Sequence, residues 1–423
     1  PHAASTVAEI PARPLGATVL MSRMNPLGWS HGYPDKRNIL PPPELIRTHE
    51  NAIADVTGDG RNDLIALGLY EGIASIDFRV WVYAQTPDGN LAPPVGHRYV
   101  EGLSDQVMYG GEGGLVVDDF SGDSANDIVV GYSYGIAVLT SNRKGGFAQA
   151  KFRKPEQKRQ LKAIASIDID RDGDKDVVGF TAAGDYTLFT NDGRGTFTGQ
   201  TVLMGIGTGM AYLDHKVVDM DGDGYQDLIV LWRGNRSKLI PDYATVYRND
   251  GTALMFGKPE FAQLDITVNY GGIAAGDFDH DGAKEIVASI PSNMPTAALH
   301  FLDRGTDGKW ALVSKLPAYS IPFGLWVGDL DGDGREDLVT EHNSWTELTA
   351  YSNFDFSKEV VLVSYAYAPY SPRVFAVGHL NSDGCKDVRV SDTHAAQSVL
   401  WTTQCHRHKF MATDSGWKDK VSQ

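Results

Sequence analysis

The chain has 423 residues, 42% of them hydrophobic and 22% charged, with 46 glycines and a formal net charge of −16. This composition excludes a disordered or collagen-like chain, and no run of eighteen apolar residues offers a membrane span. The acidity is local: 24 of the 54 acids stand at the repeated loop positions described below, leaving 30 against 38 Lys and Arg. The longest basic stretch, RKPEQKRQLK at 153–162, does not make a nucleic-acid surface, so no nucleic-acid partner is expected.

Residues 1–44 read as an N-terminal lead-in. Their start has neither a charged n-region nor an apolar h-region, unlike a signal peptide. Within the lead-in, ATVLMSR at 17–23 could supply a closing strand. From residue 45 onward one pattern recurs. It begins at Asp55 (DVTGDGRND), Asp119 (DFSGDSAND), Asp168 (DIDRDGDKD), Asp219 (DMDGDGYQD), Asp277 (DFDHDGAKE), Asp329 (DLDGDGRED) and His379 (HLNSDGCKD), at spacings of 64, 49, 51, 58, 52 and 50 residues. A period near fifty, with apolar stretches before and after each copy, predicts one four-stranded antiparallel blade per repeat. The expected fold is therefore all-β, a seven-bladed β-propeller over 45–423 with the acidic loop between strands 1 and 2 of each blade. The small residues before the loops, Ala54, Gly276, Gly328 and Gly378, suit strands converging on an axis. The last blade is completed either by strands near 387–392, 398–404 and 407–412 or by the N-terminal segment.

Positions one, three, five and nine carry oxygen side chains in the first six copies, and position six is usually glycine. Calcium takes six to eight hard oxygen ligands around a tight turn, and a backbone carbonyl at position seven adds one. The ligand sets read as Asp55, Thr57, Asp59 and Asp63; Asp119, Ser121, Asp123 and Asp127; Asp168, Asp170, Asp172 and Asp176; Asp219, Asp221, Asp223 and Asp227; Asp277, Asp279, Asp281 and Glu285; Asp329, Asp331, Asp333 and Asp337. The second set has Ser124 at the glycine position. The seventh copy has His379 and Asn381, leaving Asp383 and Asp387. An EF-hand is excluded, because position twelve is Gly179, Val230 or Thr340 instead of glutamate. The expected cofactor is structural Ca2+ at several sites.

The sevenfold DxDxDGxxD between two strands resembles the FG-GAP/VCBS repeat family. The resemblance covers the chain from about residue 45 onward. It implies a propeller with integrin-α-like calcium loops, of the kind seen in propeller lectins and in carbohydrate lyases and dehydratases. It does not select among those functions.

Loops on the face opposite the calcium loops differ from blade to blade. A multivalent lectin repeats its sugar-binding residues, whereas unlike loops suit one composite site over the central channel. Those loops carry His, Tyr, Arg, Lys and Trp, a mixture suited to an acidic sugar. The expected function is thus a secreted propeller acting on carbohydrate by β-elimination, as a carbon–oxygen lyase or dehydratase. His215 or His342 would be the base, Tyr109 or Tyr270 the acid, and Arg47, Arg233 or Arg373 the carboxylate clamp. A noncatalytic lectin and an adhesion or protein-recognition propeller are the alternatives. The expected partner is carbohydrate, of which an acidic polysaccharide or oligosaccharide is one form, and no membrane insertion is expected.

The two cysteines, Cys385 and Cys405, flank a strand–turn–strand segment. If Ser391 faces Ser398, they come near each other across the pair, and a disulfide would agree with an extracellular or periplasmic location.

Overall fold

The structure is a computed structural model. It describes residues 46–71, 76–89, 91–99, 113–132, 135–148, 151–153, 161–182, 184–202, 210–252, 258–292, 295–318, 321–342, 347–357, 360–364, 372–380, 386–392 and 398–401. Among these residues the chain is all-β and antiparallel, with two three-residue 3-10 turns and no helix long and apolar enough to cross a membrane.

Strands follow one another within each sheet in chain order. Sheet 1 joins β1 (Ile46–Ala54), β2 (Asp63–Glu71), β3 (Ile76–Tyr83) and β4 (Val95–Arg98). Sheet 2 joins β5 (Leu115–Asp118), β6 (Asp127–Tyr132), β7 (Gly135–Leu139) and β8 (Lys151–Arg153). Sheet 3 joins β9 (Leu161–Ile167), β10 (Asp176–Thr181), β11 (Tyr186–Thr190) and β12 (Thr198–Val202). Sheet 4 joins β13 (Ala211–Val218), β14 (Asp227–Arg233), β15 (Tyr243–Tyr247) and β16 (Glu260–Gln263). Sheet 5 joins β17 (Ile273–Gly276), β18 (Glu285–Ile290), β19 (Ala298–Arg304) and β20 (Trp310–Pro317). Sheet 6 joins β21 (Pro322–Gly328), β22 (Asp337–His342), β23 (Glu347–Tyr351) and β24 (Val360–Ser364). Sheet 7 has three described strands, β25 (Pro372–Gly378), β26 (Asp387–Asp392) and β27 (Ser398–Trp401). The segments proposed to complete it, 17–23 and 407–412, lie outside the described residues.

Second strands are deeply buried whether their sequence is apolar, as in β6 (DIVVGY), or polar, as in β22 (DLVTEH). β6, β10, β18 and β22 are buried at every position, as expected for strands covered on both faces. The cores lie between successive sheets. Ile229, Leu231 and Val246 of sheet 4 meet Ile273, Ile286 and Leu302 of sheet 5, and Phe278, Val287 and Phe301 of sheet 5 meet Leu325, Leu338 and Tyr351 in and around sheet 6. The first strands of neighbouring sheets contact one another in sequence, and β25 contacts β1, which closes the circuit. At that closure a Cβ added to Gly378 would lie 2.6 Å from Ile53 Cγ2. This close approach bears out the reading that small residues precede the acidic loops because inner strands converge.

The β26–β27 register places Ser391 opposite Ser398, the pairing on which the cysteine argument rests. Cys385 and Cys405 themselves lie outside the described residues.

Candidate metal centres and inner-strand site

Each acidic repeat occupies the connection between the first and second strands of its sheet. In all seven, the residue preceding the repeat pairs with position nine: Ala54 with Asp63, Asp118 with Asp127, Ile167 with Asp176, Val218 with Asp227, Gly276 with Glu285, Gly328 with Asp337, and Gly378 with Asp387. The loop is therefore a tight excursion closed by the first rung of a hairpin.

Inside the loop the carboxylates cap backbone N–H groups. Asp219 at position one accepts from Gly222 N and Gly224 N at 2.7 and 2.9 Å. Asp223 at position five accepts from Tyr225 N at 2.9 Å. These contacts require a left-handed backbone at position six, where φ is +82° at Gly60, +98° at Gly173 and +89° at Gly224. Space does not demand glycine at these three, since an added Cβ would meet nothing within 4 Å. Ser124 adopts the same conformation at φ +66°, a strain that glycine avoids.

Position nine has a second job that the motif does not reveal. Asp176 is buried; one oxygen accepts from Ile169 N at 3.0 Å and the other from Asn191 N, at the end of the third strand, at 2.8 Å. Asp63, Asp227 and Asp337 repeat the arrangement with Val56 and Gln85, Met220 and Asn249, and Leu330 and Asn353. Asp387 of the divergent seventh copy still accepts from Leu380 N at 2.7 Å. The recurring Asn after the third strand, as in Asn191-Asp192-Gly193 and Asn249-Asp250-Gly251, is the sequence signal for this tie.

Four loops bring carboxylate oxygens within 4.8 Å of one another: Asp168, Asp170 and Asp176; Asp219, Asp221 and Asp227; Asp277, Asp279, Asp281 and Glu285; and Asp329, Asp331 and Asp333. Their chemistry fits a hard divalent cation. All donors are oxygens, and Asp168 Oδ1 and Asp174 Oδ1 are buried atoms with no hydrogen-bond partner. Burial, reinforced by neighbouring acids, pushes Glu285 up to about 8 even though Phe278 N–H donates to it. Burial followed by the charge of Asp281 raises Asp279. Such crowding is relieved by protonation or by a bound cation, whose charge reverses these shifts.

The residues assigned to acid–base chemistry do not come together among the described residues. His215 lies on β13, half-buried, with Nδ1 2.7 Å from the Tyr212 hydroxyl and its ring 4.9 Å from Phe180. Burial pushes it down to about 4, so the imidazole is neutral. His342 ends β22, is 1% exposed, and contacts Thr349 Oγ1 through Nε2 at 3.0 Å. It is an interior residue of sheet 6, which corrects its reading as a loop residue. Tyr270 is also interior, fully buried, with its hydroxyl 2.7 Å from His300 Nδ1 and accepting from Asp265 N at 3.2 Å. Arg233 is exposed at the end of β14. Arg47 and Arg373 fall on β1 and β25, with side chains outside the description, and Tyr109 lies outside the described residues.

The segments holding Glu50 and Asp214 to Lys216 are strands, not entry loops. Glu50 on β1 accepts from Leu115 N of sheet 2 at 3.1 Å. Asp214 on β13 accepts from Ile273 N of sheet 5 at 3.0 Å and from Lys216 Nζ at 3.0 and 2.9 Å. Each acid stands five residues before its repeat and bonds to the next sheet's first strand. A β-bulge at Thr48/Glu50 and another at Tyr212/Asp214 turn these side chains the same way. Burial, aided by the charge of Asp214, pushes Glu50 up to about 7.

A model of the FG-GAP-like repeat matches residues 119–179, 168–230 and 219–288. The matched stretches run together over residues 119–288, which hold the acidic loops beginning at Asp119, Asp168, Asp219 and Asp277. Those residues are FG-GAP-like repeats, and the fold around them is that of a β-propeller. Solved structures with the same fold include the WD40 domain of Neurospora crassa Pan2, at 9% identity and a TM-score of 0.55 over 86% of this chain and 91% of that one. The N-terminal part of BBS1, solved in complex with ARL6, shares 12% identity with this chain at a TM-score of 0.52, over 84% and 92% of the two chains. An Agrocybe aegerita lectin that recognises non-reducing terminal N-acetylglucosamine shares 16% at 0.51, over 84% and 94%. At these identities the likeness concerns the fold alone. No curated protein matches the sequence.

Proposed function

We propose that the protein is a secreted seven-bladed FG-GAP propeller, stabilised by calcium in its acidic loops, that recognises carbohydrate without transforming it. The observation that carries the second half is that, among the described residues, the histidines and the tyrosine expected to act as base and acid are held in internal pairs around three different sheets. Tyr212 pairs with His215, Tyr270 with His300, and His342 with Thr349. A β-elimination site needs base, acid and cation around one reacting carbon. The calcium half rests on the oxygen-only clusters and on the unpartnered Asp168 Oδ1. The fold-level likeness to a lectin makes carbohydrate the first ligand class to test, and the likeness to an ARL6-bound domain makes protein the next.

One observation favours the enzymatic reading. The neutral His215 lies against the Tyr212 hydroxyl, and the adjacent Lys216 ammonium supplies a cation. A glycan array probed with and without calcium, run beside an ultraviolet assay for unsaturated uronates on acidic polysaccharides, separates the readings. Calcium-dependent binding without product is expected. Product that disappears in both His215→Gln and Tyr212→Phe would replace recognition with β-elimination.

A further inference from the structure

The acidic loops differ in how their charge is met. In the loops beginning at Asp168 and Asp277, the nearby basic side chains point away. Arg171 reaches across to Asp223 of the following loop, with Nη2 2.9 Å from Oδ2, and Lys284 reaches Glu336 of the following loop at 2.9 Å. The carboxylates clustered in those two loops have no lysine or arginine within ion-pair distance among the described residues.

The loop beginning at Asp219 is different. Arg248, just after β15, places Nη1 3.5 Å from Asp221 Oδ2 and 3.4 Å from Asp227 Oδ2. These are two of the three carboxylates clustered there. Arg171 holds Asp223, and its guanidinium lies 3.7 Å over the Tyr225 ring. All but Asp219 of the four expected ligand side chains thus already face a guanidinium. Arg248 also has an alternative partner, with Nε 3.8 Å from Glu260 Oε1.

We propose that Arg248 is a built-in counter-cation, making the Asp219 loop a weak, exchangeable divalent-cation site while the Asp168 and Asp277 loops hold their ions tightly. This rests on the calcium reading above. A dication entering between Asp221 and Asp227 meets a fixed positive charge as well as its ligands, and affinity in such loops follows their net charge. Filling the site moves Arg248 toward Glu260. Glu260 lies on β16 and already accepts from Arg304 and from Trp310 Nε1 at 2.9 Å, so the change is passed to the outer edges of sheets 4 and 5.

Terbium as a calcium substitute gives a loop-specific readout. Position seven is Tyr225 here, and the corresponding residues elsewhere are Arg61, Ala125, Asp174, Ala283, Arg335 and Cys385. Tyrosine-sensitised terbium emission that disappears in Tyr225→Phe therefore reports the Asp219 loop. In the full chain, Arg248→Met is expected to lower the terbium concentration at half-saturation of that emission by about tenfold or more. Arg248→Gln provides a second variant, and circular dichroism establishes that each is folded. An unchanged or higher midpoint in the folded variants overturns the proposal, as does the absence of Tyr225-dependent emission in both wild type and variants. Elemental analysis of calcium retained through gel filtration separates the two levels. Retained calcium with no Tyr225 signal removes this proposal alone, and loss of both removes the calcium reading as well.

Discussion

The side-chain amide of Asn249, just after the third strand of sheet 4, donates to the backbone carbonyl of Asp168 in the acidic loop of sheet 3 at 2.7 Å. Its backbone N–H donates to Asp227 at 2.7 Å. One residue thus joins the acidic loops of two sheets. Asn191 does the same one sheet earlier, donating to Phe120 O at 2.8 Å, and Ser141 one sheet before that, donating to Val56 O at 3.0 Å. The ring is laced by these bonds along the loop face as well as packed by apolar contacts.

Asn249→Ala removes the bonds to Asp168 O and Gln226 O and takes this partner from two part-buried carbonyls. We expect a loss of about 1–3 kcal/mol, read from denaturant unfolding. A cost near zero would mean that the packed sheets alone hold these loops together.

Calcium chelation should lower the melting temperature, because an ion bound only to the native state stabilises it by about 2.7 kcal/mol per site at a hundredfold excess over Kd. Two substitutions in one loop divide ligand from staple. Asp170→Asn, at an exposed position, should reduce bound calcium and leave stability in chelator nearly unchanged. Asp176→Ala should lower stability in chelator too, because it strands the Ile169 and Asn191 N–H groups. Equal behaviour of the two variants in chelator would contradict the assignment.

Glu50 provides a pH signature separate from the metal loops. Its folded pKa, about 7, lies above the ordinary value of 4.5, so the native state binds the extra proton between those limits. The stability it confers is fully present below about pH 4.5 and is lost as pH rises through 7. Glu50→Gln keeps an acceptor for Leu115 N–H and should flatten that dependence, leaving the variant more stable than wild type at pH 8. Parallel pH profiles of unfolding free energy for the two proteins would count against it.

Closure of the ring can be tested at Gly378. An added methyl lies 2.6 Å from Ile53 Cγ2 and 2.8 Å from Ile53 Cβ. Gly378→Ala should cost about 1–3 kcal/mol through overpacking. Combining it with Ile53→Val should recover part of the loss, and a strictly additive double mutant would place the strain elsewhere.

The period, the loop conformation and the division into sheets were legible because they depend on local rules. Alternating carboxylates around a left-handed residue specify a turn, and apolar runs on both sides specify the strands it joins. The dual role of position nine was not legible at Asp227, because its second donor, Asn249, arrives 22 residues later by way of the third strand. The chemistry at the inner strands was misread for a related reason. His342 and Tyr270 are polar residues near strand ends, a position that looks like loop in one dimension, yet each fills an interior space between sheets.

The sequence by itself determined an all-β chain of repeated antiparallel units with oxygen-rich loops at fixed positions. Each of those features is set within about a dozen residues by backbone conformation and side-chain chemistry. Only the tertiary structure decided which polar groups are free to act. Whether an imidazole faces a ligand, a tyrosine or a neighbouring sheet depends on bulges at Thr48/Glu50 and Tyr212/Asp214 and on contacts between residues 59–81 positions apart. Arg248 reaches Asp221 and Asp227 within sheet 4, by way of its third strand. Close packing of converging sheets, not local propensity, fixes those distances.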